Sequence, residues 1–456
     1  MSKNGSLEFS SHETTLESKN VSQLVEHLFR HQAGQVGSTL TRFFGVQNLD
    51  LVEDVVQETL LKALQQWMFQ GIPENPAGWI LQSAKNRAID VLRRQSTFRN
   101  KQTEIADRIE QDFNSSIEDT TITLDHEFKD DQLKMIFVCC HPAISREARI
   151  ALTLKTLCGF NVAEIARAFL SQESTIAQRL VRAKRKIRES YFPFELPDQP
   201  EITGRLDSVL EVLYLLFNEG YSAHQGEVLV RDDLCEEAIR LTCILAEHPV
   251  GDQPKVHALL AMLFLQASRL PARVDYEGNL LVLKEQDRTL WDEGLVQSGF
   301  HHLDRAASGD ELSEYHLQAG IASCHATAES YESTDWQRIL AYYDELVNMN
   351  HSPVVALNRA VALSMVLGPE AGIEALEKLE SLPPMKSYYL LPATYAEFFT
   401  QMGKAKQAIK FYRKALELVG TEPEKRFLLR KLKECENSKI DMPANEMQWN
   451  FHFPSH

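Results

Sequence analysis

The sequence contains no long apolar run of the kind that crosses a membrane. No stretch approaches the roughly 18 uncharged apolar residues of a membrane-spanning helix, and the segment from Met1 to Asn20 holds no apolar run. We therefore expect neither a membrane span nor a secretory signal, and we expect a cytoplasmic protein. The seven cysteines are an odd number without a CxxC pair, which is typical of reduced thiols in packed cores.

The sequence also lacks the short motifs of common enzymes. It contains no GxxxxGKS/T, GxGxxG or GxSxG motif. Cys139, Cys140 and His141 are adjacent, but neighbouring helical residues point about 100° apart, so both thiols do not readily reach one metal ion. We expect no catalytic residue, no metal and no cofactor, and an enzyme in the second half is the weakest alternative.

The charge is unevenly distributed along the chain. Residues 1–200 carry 24 basic and 26 acidic side chains, whereas residues 201–456 carry 24 and 38. Two windows of the first half are basic, Lys85 to Lys101 and Ile176 to Ser190, with six cationic residues and one acid each. A local positive field can bind a phosphate backbone even on an acidic protein. On charge alone, a solvated helix face is the simpler interpretation of each window.

Apolar periodicity predicts helices along nearly the whole chain and therefore an all-α fold. The helical period covers Val21 to Gln95 and resumes at about Gln132. Residues 96–131 have few large apolar side chains and many acids, which predicts a linker. Prolines at 193, 197 and 200 predict a domain boundary, and a small hairpin is expected at 274–283.

The segment from Asn161 to Arg188 has the pattern of a helix-turn-helix. Val162, Ile165, Ala166 and Phe169 share one face of a short helix, and a turn follows at Leu170 to Glu173. In the next helix, one apolar stripe is predicted to dock, while the opposite basic face is free to enter a major groove. The stripe consists of Ile176, Leu180, Ala183 and Ile187.

The basic face supplies the candidate DNA contacts. We predict that bases are read by Thr175, Gln178, Arg179 and Arg182, and that phosphates are contacted by Lys184, Arg185, Lys186 and Arg188. An ordinary pair of packed helices with a basic exposed side is the alternative.

Four runs of residues resemble one protein family. They are Asp54-Val55-Val56-Gln57-Glu58-Thr59, Pro76-Ala77-Gly78-Trp79-Ile80, Ala84 to Arg94, and the helix-turn-helix at 161–188. The first three resemble region two of bacterial RNA polymerase sigma factors of the extracytoplasmic-function class. The fourth resembles region four of the same class, and the order and spacing of the runs agree with it.

The resemblance implies roles for particular residues. Asp54, Gln57 and Glu58 would bind core RNA polymerase, and the helix-turn-helix would bind the minus-thirty-five element of the promoter. The minus-ten element would be bound by Trp79, Lys85, Asn86, Arg87, Asp90, Arg93 and Arg94, with Asn86 and Asp90 on an extruded base and the cations on phosphates. A core anchor is the alternative role of Trp79.

Three segments of the C-terminal extension resemble the subgroup that carries tetratricopeptide-like repeats. They are Tyr214 to Ala223, His316 to His325 with Thr334-Asp335-Trp336, and Ser352 to Leu363. At a 36-residue offset three sets align: Cys324, Ala360 and Ala396; Leu340, Leu376 and Tyr412; Tyr343, Leu379 and Ala415. The first repeat fits least well, because Trp336 aligns with Gly372 and Ala408. Stacked helix pairs form a concave surface for a protein or peptide, and we expect the extension to regulate holoenzyme formation or promoter opening.

The predicted organisation is therefore a multidomain, all-α sigma factor without catalysis of its own. The predicted segments are a disordered tail at 1–20, region two at 21–95, an acidic linker at 96–131, region four at 132–192, a helical extension at 201–330 and tetratricopeptide-like repeats at 331–440. The expected partners are core RNA polymerase, promoter DNA and a protein or peptide on the repeats. The main alternative is a stand-alone helix-turn-helix regulator with a protein-binding scaffold.

Overall fold

The computed structural model describes residues 32–96, 121–169, 171–190, 192–221 and 231–437. The described residues are predominantly helical and contain no β-strand, which confirms the all-α prediction. They fall into two compact units, Met1–Val212 and Leu213–His456. The predicted tail at 1–20 and the predicted start of the first helix lie outside the described residues, as does Leu170.

The described residues of unit 1 form the short 3-10 helix Val46–Asn48 and eight α-helices, of which the last continues into unit 2. They are α1 (32–44), α2 (Leu49–Gln70), α3 (Pro76–Ser96), α4 (Thr121–Cys139), α5 (Arg146–Thr156), α6 (Val162–Ala168), α7 (Glu173–Ser190) and α8 (Gln199–Tyr221).

The break between α2 and α3 follows from local chemistry. Gly71 ends α2 at a φ of 81°, a conformation that favours glycine, and its N–H donates to the Trp67 carbonyl at 3.0 Å. Helix α3 begins at Pro76, whose missing N–H costs nothing in a first turn. The Asn75 side chain accepts a hydrogen bond from the Gly78 N–H at 2.9 Å and caps that turn.

The predicted acidic linker at 96–131 is too long. Residues 121–131 belong to α4, and Phe128 of this helix packs into the core that α1, α2 and α3 form. Arg42 of α1 pairs with Glu127 at 3.0 Å and with Asp131 at 3.5 Å. Glu127 and Asp131, two of the acids assigned to the linker, thus pair with an arginine of α1. The second half of α4 is buried as well, including Leu133, Ile136 and Phe137. Residues 97–120 lie outside the described part of the chain.

The predicted boundary near residue 200 is also displaced. Helix α8 begins at Gln199, and its residues up to 212 belong to unit 1. Arg205 donates to the Phe137 carbonyl at 2.7 Å, and Ser208 accepts from Arg149 at 2.6 Å. The three prolines mark the loop and first turn that lead into α8 and not the end of the unit.

Unit 2 continues from α8 with ten further helices among the described residues. They are α9 (Asp232–Glu247), α10 (Pro254–Ala267), α11 (Glu293–Ala306), α12 (Glu314–Thr327), α13 (Trp336–Met349), α14 (Pro353–Leu367), α15 (Pro369–Glu377), α16 (Leu390–Gln401), α17 (Ala405–Leu418) and α18 (Glu422–Asn437). The hairpin expected at 274–283 is a single bridge between Val274 and Leu280 beside Gly278, whose φ is 76°. None of the described helices is long and apolar enough to cross a membrane.

Two of the three aligned sets occupy equivalent helices of unit 2. The first set, Cys324, Ala360 and Ala396, is buried on α12, α14 and α16. In the second set, Leu340 is half-buried on α13, while Leu376 and Tyr412 are buried on α15 and α17. The third set departs from this pattern, because Leu379 lies in the turn after α15 and not in a helix. A Cβ on Gly372 would lie 2.5 Å from the Phe398 ring, so a small residue is required there. Residues 314–418 therefore contain three successive helix pairs, and the tetratricopeptide-like repeats stay a prediction.

Candidate nucleic-acid interface

Helix α7 presents one buried and one exposed side. The buried residues of this helix are those of the predicted stripe, Ile176, Leu180, Ala183 and Ile187, each at most 5% exposed. They pack against α5 and α6. The start of α6 is fixed by a reciprocal cap, in which the Asn161 N–H donates to Glu164 at 2.7 Å and the Glu164 N–H donates to Asn161 at 2.8 Å. Such docking holds the other side of α7 toward solvent.

Most of the predicted DNA contacts of α7 lie on that outer side. The exposed residues are Gln178, Arg182, Arg185, Lys186 and Arg188, and Thr175 and Arg179 are half-buried at its edge. The Arg185 guanidinium lies 3.8 Å from Glu189 one turn later. Exposed pairs of this kind hold weakly and exchange readily for phosphate contacts. The local cation density is therefore available to a DNA backbone.

Lys184 differs from the other cations of α7. Its ammonium lies 2.8 Å from Asp50 and 2.8 Å from Glu53, two acids in the first turns of α2, and its side chain is only 12% exposed. Burial opposes the charged form, but the two carboxylates outweigh it and raise the pKa of Lys184. Arg188 also lies 3.9 Å from Asp50. Lys184 can contact a phosphate only after its ion pairs with α2 have opened.

Helix α3 carries an exposed polar stripe and a buried side. Asn86, Asp90, Arg93 and Arg94 are exposed, and Gln82 donates to the Asn86 side chain at 3.2 Å. Lys85 is 2% exposed, so the phosphate contact predicted for it does not fit this arrangement. The sequence already indicated the burial of Lys85, because this residue is one helical turn from the apolar Leu81 and Ile89.

Trp79 lies in the first turn of α3 and is half-buried against the core that α1, α2 and α3 form. Its ring meets the Trp67 ring edge-on with centroids 5.5 Å apart. This contact agrees with the alternative in which Trp79 is a core anchor. A half-buried ring nevertheless retains surface on which a base can stack.

The predicted polymerase-binding residues form one exposed face of α2. Asp54, Gln57 and Glu58 are all exposed. Gln57 and Glu58 follow Asp54 by three and four positions, which places both on the same side of the helix as Asp54. Glu58 accepts a hydrogen bond from Arg87 of α3 at 2.6 Å, which lowers the pKa of Glu58. Arg87, a predicted minus-ten contact, therefore pairs with a residue that is predicted to bind polymerase.

Three family models match successive parts of the chain. The model for Sigma-70 region 2 matches residues 28–98, and the model for Sigma-70, region 4 matches residues 134–187. A family of unknown function (DUF6596) matches residues 205–307. The first Sigma-70 match contains the candidate DNA-binding helix α3, and the second contains most of the candidate DNA-binding helix α7.

Curated relatives agree with these matches. An uncharacterized protein of Rhizobium meliloti is 37% identical over 407 residues, which are 86% of this chain and 92% of that protein. The chain belongs to the same family as this protein. Two Mycobacterium tuberculosis strains have a protein named probable ECF RNA polymerase sigma factor SigI, 26% identical over 231 residues, which are 47% of this chain and 78% of that protein.

The chain contains Sigma-70 region 2 and region 4 domains, as predicted, and these domains support a sigma factor role. The tetratricopeptide-like subgroup of the extension, by contrast, stays a prediction. The chain also contains ion pairs that no motif indicated. Asp50 and Glu53 lie more than 130 positions from Lys184, and only the fold brings them together.

The adjacent thiols of Cys139 and Cys140 are core residues. Cys139 and Cys140 are both fully buried at the end of α4, and burial raises the pKa of both thiols, that of Cys140 to about 12. His141 stacks on Phe192 with centroids 3.9 Å apart, and burial lowers its pKa to about 4. At neutral pH all three side chains are uncharged, which is typical of packing residues.

Proposed function

We propose that the protein is a sigma factor that binds core RNA polymerase, recognises both promoter elements and promotes the melting of promoter DNA. Helix α7 would enter the major groove at the minus-thirty-five element, and the exposed stripe of α3 would hold the unstacked minus-ten strand. The observation that carries the proposal is the basic outer side of α7 opposite a fully buried stripe. Such a helix can dock and read DNA at the same time.

The exposed polar residues of α3 suit single-stranded DNA. Asn86 can donate and accept hydrogen bonds at a base edge, and Asp90 can accept from one, whereas a phosphate would repel it. Arg93 and Arg94 follow on the next turn and are placed to neutralise the backbone. The exposed face of Asp54, Gln57 and Glu58 lies on the preceding helix, where it can contact polymerase.

We further propose that residues after α8 regulate the sigma domains. The extension is strongly acidic, so it does not favour nucleic acid itself. Its successive helix pairs are consistent with a surface for a protein or peptide. The similarity to the Rhizobium protein covers 86% of the whole chain and therefore extends into this part.

Binding to purified core RNA polymerase tests the proposal and separates it from a stand-alone regulator. The full-length protein should form a stable complex with core, and Asp54→Arg should weaken that complex at least tenfold, or by about 1.4 kcal/mol. Glu74→Arg, at another exposed acid, is the matched control and should bind as wild type does. No complex with core, together with DNA binding by the chain alone, would favour the stand-alone regulator.

A truncation tests the regulatory role of the extension. The chain should end after Tyr221 and not after residue 200, because α8 contributes Arg205 and Ser208 to unit 1. We expect promoter-dependent transcription by the truncated chain to differ from that of the full chain at equal occupancy of core. Equal transcription would remove the regulatory proposal and leave the sigma function intact.

A further inference from the structure

Three arginines lie together in the segment between α10 and α11 of the extension. Arg269 and Arg273 flank the 3-10 turn Leu270–Ala272, and Arg288 begins the turn Arg288–Leu290. Arg269 is 2% exposed and Arg273 is 5% exposed, while Arg288 is half-buried. We refer to these three residues as the arginine cluster. Burying several like charges together requires a compensating partner.

Aromatic rings supply part of this compensation. The guanidinium carbons of Arg269 and Arg288 lie 5.4 Å and 4.6 Å from the Trp291 ring, and that of Arg273 lies 3.9 Å from the Tyr221 ring. Contact with a ring uses the face of a guanidinium. The N–H groups point outward within the guanidinium plane and require acceptors of their own. Arg273 has one, because its Nη1 donates to the Tyr221 carbonyl.

Several donors at the arginine cluster have no acceptor among the described residues. These buried nitrogens are Arg269 Nε and Nη2, Arg288 Nη2, and the indole Nε1 atoms of Trp291 and Trp336. Trp336 and Trp291 pack in the same apolar cluster. The second terminal nitrogen of Arg288, Nη1, does have acceptors: it donates to the carbonyls of His325 at 2.8 Å and Ala328 at 2.7 Å. Unpaired buried donors are rare in folded proteins and point to a missing acceptor.

The charge of Arg269 is likewise unbalanced among the described residues, whereas Asp232 and Glu424 act electrostatically on Arg273. No described carboxylate forms an ion pair with Arg269, and its charged neighbours Arg273 and Arg288 are both cations. The acid that acts on Arg288 is the exposed Glu332. His325 adds no charge, because burial and the nearby arginines lower its pKa to about 3. A buried charge of this kind is strongly unfavourable without a counterion.

We infer that the arginine cluster is a binding site for a small phosphate-type oxyanion, held by the edges of Arg269 and Arg288 and by the indole N–H groups of Trp291 and Trp336. Guanidinium and indole groups donate and do not accept, so the ligand must offer several acceptors. Arginine edges match two oxygens of one phosphate. More than one positive charge favours a dianion over a monocarboxylate. Inorganic phosphate and a phosphorylated metabolite share this chemistry.

Calorimetric titration of the full-length protein with potassium phosphate tests the inference. We expect saturable binding, weakened at least tenfold by Arg269→Met, which keeps the apolar stem and removes the donors. Arg359→Met is the matched control, because Arg359 is half-buried and already paired with Asp344 at 2.5 Å. A parallel titration with a phosphorylated sugar at equal ionic strength distinguishes a metabolite from free phosphate by which of them binds tighter. Tighter binding of potassium succinate than of both would overturn the phosphate assignment.

Thermal unfolding provides a second readout. Phosphate salts stabilise proteins generally, so the decisive quantity is the difference between wild type and variant. Phosphate should raise the Tm of wild type more than that of Arg288→Met, a half-buried position that remains informative if Arg269→Met does not fold. An equal rise in both proteins, or no saturable heat with wild type, would overturn the site. Neither assay contains polymerase or DNA, so this result is independent of the sigma function.

Discussion

Lys184 lies on the basic helix α7, yet its ammonium contacts two carboxylates of α2 and little solvent. Its position already indicated partial burial, since it follows Leu180 by four residues and precedes Ile187 by three, and both belong to the buried stripe. Its partners were not predictable, because sequence patterns report which side of a helix is apolar and not which helix packs there. The exposed residues Arg182 and Arg185 were predictable for the same reason.

The ion pairs of Lys184 predict a stability effect. Lys184→Gln should destabilise the folded protein by roughly 1–3 kcal/mol, because Glu53 is only 15% exposed and loses its charged partner. Lys186→Gln, two residues later on the exposed side, should change stability by less than about 0.5 kcal/mol. Urea denaturation of both variants measures the difference. Equal stability of the two variants would mean that Lys184 is not held by α2.

At the scale of helices, the sequence predicted which residues share a helix face, but it did not predict which helices pack against each other. The stripe of α7 follows from spacing alone and agrees with the observed burial, whereas the aligned residue Leu379 of the extension lies outside a helix. The start of α4 was taken for a linker because acids outnumber apolar residues at 121–131, although Phe128 packs into the core and Arg42 pairs with Glu127 and Asp131. Helix α8 was assigned to the extension because a proline loop precedes it, although Arg205 and Ser208 contact unit 1.

Helices α16 and α17 are joined by a buried carboxyl group that predicts a pH dependence. Tyr412 donates to Glu397 at 2.9 Å, and burial raises the pKa of Glu397 from 4.5 to about 8. Because the folded-state pKa is the higher one, the stabilisation is complete below about pH 4.5 and is lost as the pH rises through 8. The free energy of unfolding of wild type should therefore include a decline on the order of a few kcal/mol across this range.

Glu397→Gln should remove this contribution, because the amide keeps the acceptor for Tyr412 and does not ionise. Its free energy of unfolding should depend less on pH than that of wild type between pH 5 and 8. Denaturant unfolding at several pH values compares the two proteins. A decline of the same size in Glu397→Gln would assign the pH dependence to other groups.

At the scale of the whole molecule, the two halves of the chain differ in net charge. The basic residues available for DNA lie on α3 and α7, while the extension is acidic and contains the arginine cluster in its interior. The composition of the halves was visible in the sequence. The inward position of Arg269 was not, because an arginine in a segment between helices is usually a surface residue.

The account depends most on the joint action of α3 and α7 as promoter contacts within the polymerase. Transcription by purified core RNA polymerase, from a promoter mapped after overexpression of the protein, measures this directly. Arg93→Glu with Arg94→Glu, or Arg182→Glu with Arg185→Glu, should each abolish promoter-dependent transcription without loss of core binding. The control, Lys406→Glu with Lys410→Glu on exposed positions of α17, should transcribe as wild type does. Unchanged transcript levels and start sites in both DNA-face variants would contradict the account.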